Sequence, residues 1–87
     1  DIVWMEGVRD YVKMHLKSAG KPLLFRTSLK ALEPELPPTK FIRIHKSYII
    51  SLAHIEALVG NQVEIHNKLL PIGATYKEEV MKSLQLE

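Results

Sequence analysis

The stretch from Phe41 to Ile50 reads Phe-Ile-Arg-Ile-His-Lys-Ser-Tyr-Ile-Ile and is the most informative part of the chain. In its first half, Ile42 and Ile44 fall on one side of an extended backbone, and the residues around them fall on the other. This period of two is typical of a β-strand with one buried face, and it predicts a strand over residues 41–51. Three cations and no acidic residue occur from position 40 to position 48. The predicted strand therefore coincides with a concentration of positive charge.

The positive charge of the chain lies in its middle, although the formal net charge of all 87 residues is only +2. Residues 11–55 hold eight Lys and Arg against two Glu, which gives +6, whereas residues 1–10 and 56–87 each sum to −2. Lys and Arg beside hydroxyl groups are typical of surfaces that bind phosphates. A strand with an ordinary solvated basic face has the same composition, so charge alone leaves both interpretations open.

Composition and motifs restrict the class of protein. With 46% apolar and 25% charged residues, residues 1–87 are expected to form one globular domain, cut from a longer parent, with residues 86–87 either native or vector-derived. No apolar run approaches the ~20 residues of a membrane span. The chain has no cysteine, its four histidines lack metal-ligand spacing, and no serine lies in a nucleophile-elbow pattern. We therefore expect no enzyme activity, no metal and no cofactor.

Short β-strands account for most of the remaining sequence. Alternation and β-branched residues predict strands at residues 2–5, 11–17, 23–26, 55–59, 62–66 and 69–72. The first three are expected to form an antiparallel meander whose first turn uses Gly7 and Asp10 for its unusual backbone angles. Gly60-Asn61 and Asn67-Lys68 are predicted to form two further tight turns.

Two helices are predicted, one in the middle of the chain and one near its C-terminus. Thr27 or Ser28 is expected to cap the first, which places leucines at positions 29, 32 and 36 on one face before prolines end it. Thr75 and Glu78 have the spacing of a capping box for the second, whose apolar face carries residues 76, 80 and 84.

Six fragments, in order and at matching separations, identify a family resemblance over nearly the whole chain. They are residues 2–6, residues 10–12, Arg26-Thr27-Ser28-Leu29-Lys30 with Leu32 and Leu36, residues 41–50, Ile55, and Leu70-Pro71-Ile72-Gly73 through Tyr76. The most diagnostic fragment is residues 41–50, which matches a family pattern of Phe, x, Arg, x, His, a polar or basic residue and Ser before an aromatic residue. The chain resembles the LytTR DNA-binding domain, an output module of bacterial response regulators.

The resemblance implies a mainly β fold: an elongated stack of short antiparallel strands in three sheets, with a short mid-chain helix and a C-terminal helix. It implies that three loops, at residues 9–11, 45–47 and 73–77, and not a recognition helix, enter successive major grooves of double-stranded DNA. Base contacts are implied for Asp10 (to a cytosine amino group), Lys46 (to guanine acceptors) and Thr75 (through its hydroxyl or to a thymine methyl group). Phosphate contacts are implied for Arg9, Tyr11, Lys40, Arg43, His45, Ser47, Ala74 and Lys77. The chain has Gly-Ala-Thr at positions 73–75, where many members carry Ser-Arg, which weakens the expected base contact from that loop.

Several of these side chains also have structural interpretations. The ring of His45 is suited to bonding a neighbouring carbonyl, Ser47 to closing a turn, and Lys46 to simple exposure to solvent. Arg43 is equally suited to a DNA phosphate or to an ion pair with Glu33 or Glu35.

The expected function is sequence-specific binding of double-stranded DNA, as the cytoplasmic output domain of a bacterial two-component transcriptional regulator. A receiver domain in the parent chain and a second copy of the regulator on DNA are the expected protein partners, with no membrane partner. A protein-interaction module is the alternative. A single-strand binder is a weaker one, because it needs aromatic platforms, and only Tyr11 is expected to be free while Trp4, Phe25 and Phe41 occupy core positions.

Overall fold

A computed structural model describes residues 2–18 and 20–84 as a mainly β domain with principal extents of 36 × 25 × 21 Å. The strands are β1 (Ile2–Val8), β2 (Tyr11–Leu16), β3 (Leu23–Phe25), β4 (Phe41–His45), β5 (Tyr48–Ser51), β6 (Ile55–Val59), β7 (Gln62–Ile65) and β8 (Lys68–Pro71). The helices are α1 (Leu29–Leu32) and α2 (Lys77–Leu84), with 3-10 helices at Glu33–Glu35, Leu52–His54 and Ala74–Tyr76. No helix described here is long and apolar enough to cross a membrane.

The strands form two antiparallel sheets, and this confirms the predicted fold class. The first has the order β3-β2-β1-β5-β4, so the predicted N-terminal meander is present and β5 extends it on the other side of β1. The second has the order β6-β7-β8. The resemblance implied three sheets; within the described residues there are two, because β4 and β5 join the N-terminal meander.

The first hairpin turn differs from the prediction, because neither Gly7 nor Asp10 supplies its positive φ. β1 continues through Gly7 to Val8, and Arg9 adopts φ 57°. A Cβ atom at Gly7 would lie 3.3 Å from the Leu29 side chain, so this glycine permits close packing of α1 on the sheet. The residue fulfils a packing role inside a strand, and the turn is left to an arginine in the left-handed region.

Two other connections also depart from the predictions. Residues 41–51 do not form one strand, because Lys46 and Ser47 connect β4 to β5 in a tight hairpin. The second turn of the C-terminal sheet uses His66 and Asn67, both at positive φ, one residue earlier than predicted. The turn at Gly60-Asn61 is as predicted, with Gly60 at φ 61°.

The C-terminal helix lacks the predicted capping box. Thr75 lies inside the 3-10 helix Ala74–Tyr76, which has Gly73 at its N-cap and no side-chain capping bond. The predicted apolar face is confirmed, because Val80 is fully buried and Tyr76 and Leu84 pack against the same core cluster. The face positions the helix even though the cap does not form.

Two apolar clusters cover opposite faces of the five-stranded sheet. The larger one lies between the two sheets and includes Trp4, Ile44 and Ile50 from the first sheet, together with residues of β7, β8 and α2. The smaller one lies beneath α1 and contains Met5, Val12, Leu29 and Ile49. Because neighbouring residues of a strand point to opposite faces, Ile49 and Ile50 anchor one cluster each.

The cap of α1 provides a test of the mid-chain helix. The Ser28 side chain accepts a hydrogen bond from the Ala31 N–H at 3.1 Å, which selects Ser28 over Thr27 as the cap. We expect Ser28→Ala to lower the free energy of unfolding by about 1 kcal/mol, measured by urea denaturation. Thr27→Ala is the matched control with a much smaller effect, and equal losses in the two variants would contradict the assignment.

The environment of His15 predicts that the stability of the domain depends on pH. Its ring stacks on Trp4 at a centroid distance of 3.8 Å, and its buried Nε2 has no hydrogen-bond partner in the described part of the chain. Burial lowers the pKa of His15 below its ordinary value of 6.5, and the Glu6 carboxylate only partly opposes this. The unfolded chain therefore binds the proton more readily, so stability falls as the pH drops from about 6.5 through the folded-state pKa.

We expect the free energy of unfolding to decrease between pH 7.5 and pH 5.5 and expect His15→Phe, which keeps an aromatic ring beside Trp4, to flatten this dependence. His66 is exposed and serves as a control, because His66→Asn should leave the dependence in place. Urea titrations at both pH values measure the effect, and an unchanged slope in His15→Phe would refute the role of His15.

Candidate nucleic-acid interface

The topology brings three loops to one end of the five-stranded sheet. β1 is antiparallel to both β2 and β5, so the turn after β1 lies beside the start of β5, where the Gly7 N–H donates to the Ser47 carbonyl at 2.9 Å. The third loop joins them, because the Gly73 N–H donates to the Ile44 carbonyl at 2.8 Å, near the end of β4. We call this surface, made of residues 9–11, 45–47 and 73–77, the loop end.

The first loop presents three exposed side chains of mixed character. Arg9 and Asp10 form the turn, and Tyr11 begins β2 with 45% of its surface exposed. Sequence reasoning missed a fourth residue, Arg26, which lines the same open depression as Arg9 and Asp10. The pairing of the strands explains this position. Val12 pairs with Phe25 in an antiparallel ladder, so Arg26, the residue after Phe25, comes beside Tyr11.

The second loop carries the exposed Lys46 on a turn with internal bonds. The His45 Nδ1 accepts a hydrogen bond from the Ser47 N–H at 3.0 Å, so the ring closes the turn through an amide and not through the carbonyl that was predicted. Because Nδ1 is the acceptor, the neutral ring carries its proton on Nε2. The His45 ring therefore fixes the backbone around Lys46.

Arg43 holds the same turn from inside the fold. Its Nε donates to the His45 carbonyl at 2.9 Å and its Nη2 to the Lys46 carbonyl at 2.6 Å. Its Nη1 pairs with the Glu33 Oε1 at 2.8 Å, which decides between the two predicted ion-pair partners. With 14% of its side chain exposed, Arg43 has its donors directed to protein groups.

The third loop combines exposed positions with a close contact to the second loop. Ala74, Thr75 and Lys77 are exposed at the junction of the 3-10 helix and α2. A Cβ atom at Gly73 would lie 3.1 Å from the Tyr76 ring and 3.5 Å from the His45 ring, so the loops meet where only glycine fits easily. The two loops therefore form one connected surface.

Lys40 is not part of this surface. It precedes β4, and its carbonyl accepts from the Leu52 N–H, just after β5, at the opposite end of the hairpin from Lys46. The five residues of β4 lie between Lys40 and Lys46, so six steps of extended chain separate the two lysines by roughly 20 Å. The sequence placed Lys40 in the same basic stretch as Lys46, but the direction of the strand separates them.

These features define a class of protein: a β domain that presents exposed Arg and Lys side chains on three loops at one end of a sheet, the central loop braced by internal hydrogen bonds. Among residues 2–18 and 20–84, no group of three His, Asp or Glu side chains is arranged to hold a metal ion. The candidate contacts of the loop end come from exposed cations, hydroxyls and backbone amides, which are the groups that bind DNA backbones and base edges.

Comparison with known proteins identifies the family. The model of the LytTr DNA-binding domain matches residues 1–85, and the chain belongs to this family. The sensory transduction protein LytT of Bacillus anthracis is 28% identical over 99% of this chain. The CO-responsive transcriptional regulator RcoM of Rhodospirillum rubrum is 34% identical over 64% of the chain.

A solved structure shares the fold. The LytTr DNA-binding domain of a response regulator from Bacillus cereus superposes with a TM-score of 0.83 at 22% sequence identity, covering 98% of this chain and 82% of that one. The chain spans only 37% of the length of the LytT relative and 23% of that of RcoM. Its family is a DNA-binding one, and its relatives include regulators of transcription.

Proposed function

We propose that this domain recognises specific sequences in double-stranded DNA by placing the loop end in the major groove. The observation that supports this most strongly is the exposed Lys46 on a turn fixed by His45 and Arg43, because base readout requires a side chain that projects from a rigid backbone. Lys46 offers a cation to guanine acceptors, Asp10 accepts from a cytosine amino group, and Thr75 offers a hydroxyl.

Phosphate contacts surround these three base-reading positions in the proposal. They are assigned to Arg9, Tyr11, Arg26, Ser47, Lys77 and the backbone at Ala74. Arg43 and His45 are assigned to holding the turn, because the three Arg43 nitrogens and the His45 Nδ1 already bond within the protein. Neutralising about five phosphates predicts a log–log dependence of affinity on salt with a slope near −4 to −5.

The proposed context is a bacterial two-component regulator that acts in the cytoplasm. In this proposal residues 1–87 are the output domain, a receiver domain belongs to the same parent chain, and phosphorylation brings two copies together on DNA. Two copies would read half-sites spaced by about one or two helical turns of ~10.5 bp. The domain itself has no catalytic step in this scheme.

Selection of bound duplexes from a random pool tests the proposal. We expect enrichment of one short motif, and binding that weakens steeply as salt is raised from 50 to 200 mM. Single-stranded DNA of the enriched sequence is the control and should bind more weakly. Failure to enrich any motif, with weak binding even at low salt, would refute the proposal.

A protein-interaction module is the second candidate, and strand β3 favours it. β3 is an edge of the five-stranded sheet, and its three residues are exposed at 46%, 60% and 44% for Leu23, Leu24 and Phe25. The prediction that Phe25 lies in the core is therefore wrong.

Exposed apolar edge strands pair readily with other chains. Salt-independent self-association or partner binding without DNA binding would favour this candidate.

A further inference from the structure

Glu33 lies outside the loop end but is bonded to the residue that holds its central turn. It begins the 3-10 helix after α1, ten residues before Arg43 in the chain, and half of its side chain is exposed. The 2.8 Å bond from the Arg43 Nη1 to the Glu33 Oε1 directs the plane of the guanidinium. Because the guanidinium is planar and rigid, a bond that fixes one of its nitrogens also fixes the directions of its other donors.

Those other donors reach the turn that carries Lys46. The Arg43 Nε and Nη2 bond the carbonyls of His45 and Lys46, so one guanidinium joins the 3-10 helix to two consecutive peptide groups of the turn. The Tyr76 ring lies 5.7 Å from the same guanidinium, which brings the third loop into contact with it. The orientation of Arg43 thus affects two of the three loops.

We propose that Glu33 is a positioning residue for base recognition: it orients Arg43, and through Arg43 it fixes the turn that presents Lys46. This inference rests on the proposed DNA-binding function. It makes a counterintuitive prediction, because Glu33 is an acidic residue near a surface that binds a polyanion. If only net charge mattered, removing Glu33 would tighten DNA binding.

The test compares Glu33→Ala with Glu35→Ala. Glu35 lies on the same 3-10 helix and carries the same charge, and the hydrogen bonds of Arg43 described above do not involve it. Affinities are measured for the selected duplex and for a scrambled duplex of equal length. Both variants should bind the scrambled duplex at least as tightly as the wild type. Only Glu33→Ala should lower the ratio of specific to scrambled affinity, by about fivefold, since one well-placed base contact becomes less well oriented.

Glu33→Gln separates the hydrogen bond from the charge. It has the same net charge as Glu33→Ala but keeps an oxygen that accepts from Arg43, so it should recover part of the lost specificity while thermal midpoints of all three variants stay similar. A Glu33→Ala ratio within twofold of that of Glu35→Ala, or no recovery in Glu33→Gln, would overturn the proposal.

Amide chemical shifts of the free protein give a readout that does not involve DNA. Glu33→Ala should shift the amide signals of His45, Lys46 and Ser47, and Glu35→Ala should leave them in place. If the wild-type domain showed no preference for any duplex, the proposed function would fail. The amide shifts would still test whether Glu33 acts on the Lys46 turn through Arg43. Unmoved amide signals in Glu33→Ala would show that Glu33 does not act on the Lys46 turn through Arg43, even in a domain that binds DNA specifically.

Discussion

Lys46→Ala is expected to weaken binding to the selected duplex about 5- to 150-fold, which corresponds to ~1–3 kcal/mol. Lys46 is exposed, and the backbone on both sides of it is fixed by the bonds of Arg43 and His45. The loss of affinity should therefore come from the missing base contact and not from a change in the fold, because removal of the side chain leaves the turn itself intact. Mobility-shift titrations with the selected duplex and with single-base variants of it measure the effect.

Lys77→Ala is the matched control, because it removes another exposed Lys of the loop end. In the proposal Lys77 contacts a phosphate and contributes equally to all sequences, so its loss should weaken the selected and scrambled duplexes alike and reduce the salt slope by about 1. Lys46→Ala should relax the preference at one base pair as well. Equal effects of Lys46→Ala on selected and scrambled duplexes would show that Lys46 does not read a base.

Ile50→Ala is expected to lower the free energy of unfolding by about 2–5 kcal/mol. Ile50 is fully buried between the two sheets, and its strand is paired on both sides, with Trp4 and Ile42 as its cross-strand neighbours. Truncation there removes apolar contacts and leaves a cavity that paired strands on both sides cannot easily close. For a domain of this size, a loss of that magnitude is a large part of the total stability.

The matched control is Leu24→Ala, which makes an apolar truncation of similar size at a position with 60% exposure. Its effect should stay within about 0.5 kcal/mol. Urea denaturation followed by the fluorescence of Trp4, which lies beside Ile50, reports both changes. Comparable losses in the two variants would mean that the cluster between the sheets does not dominate stability.

The alternation of the strands made most of the fold predictable, whereas turns without glycine were misplaced or gave no signal in the strand pattern. Gly60-Asn61 was identified correctly, because a glycine at positive φ beside asparagine has a local cause. The Lys46-Ser47 hairpin has no such signal in the sequence. Arg43 and His45 brace it through bonds to groups two or three residues away, and Glu33, ten residues away, orients the Arg43 guanidinium. Side-chain bonds that no residue pattern indicates therefore hold that turn in place.

The candidate site was predictable where the resemblance supplied local motifs and unpredictable where distant segments meet. Lys46 and the first loop came from fragments of the sequence, but the placement of Arg26 beside them depends on the pairing of β2 with β3. Lys40 shows the opposite error. Its closeness to Lys46 in the sequence suggested a shared surface, and the length of β4 separates the two side chains.

At Arg9, substitutions that favour stability and substitutions that keep the proposed DNA contact are different, because this residue has a positive φ. A left-handed backbone costs a residue with a side chain roughly 1–2 kcal/mol, and glycine or asparagine would relieve most of that cost. Either replacement would also delete a cation from the loop end. A library screened only for heat resistance would therefore tend to discard Arg9, and with it one of the proposed DNA contacts.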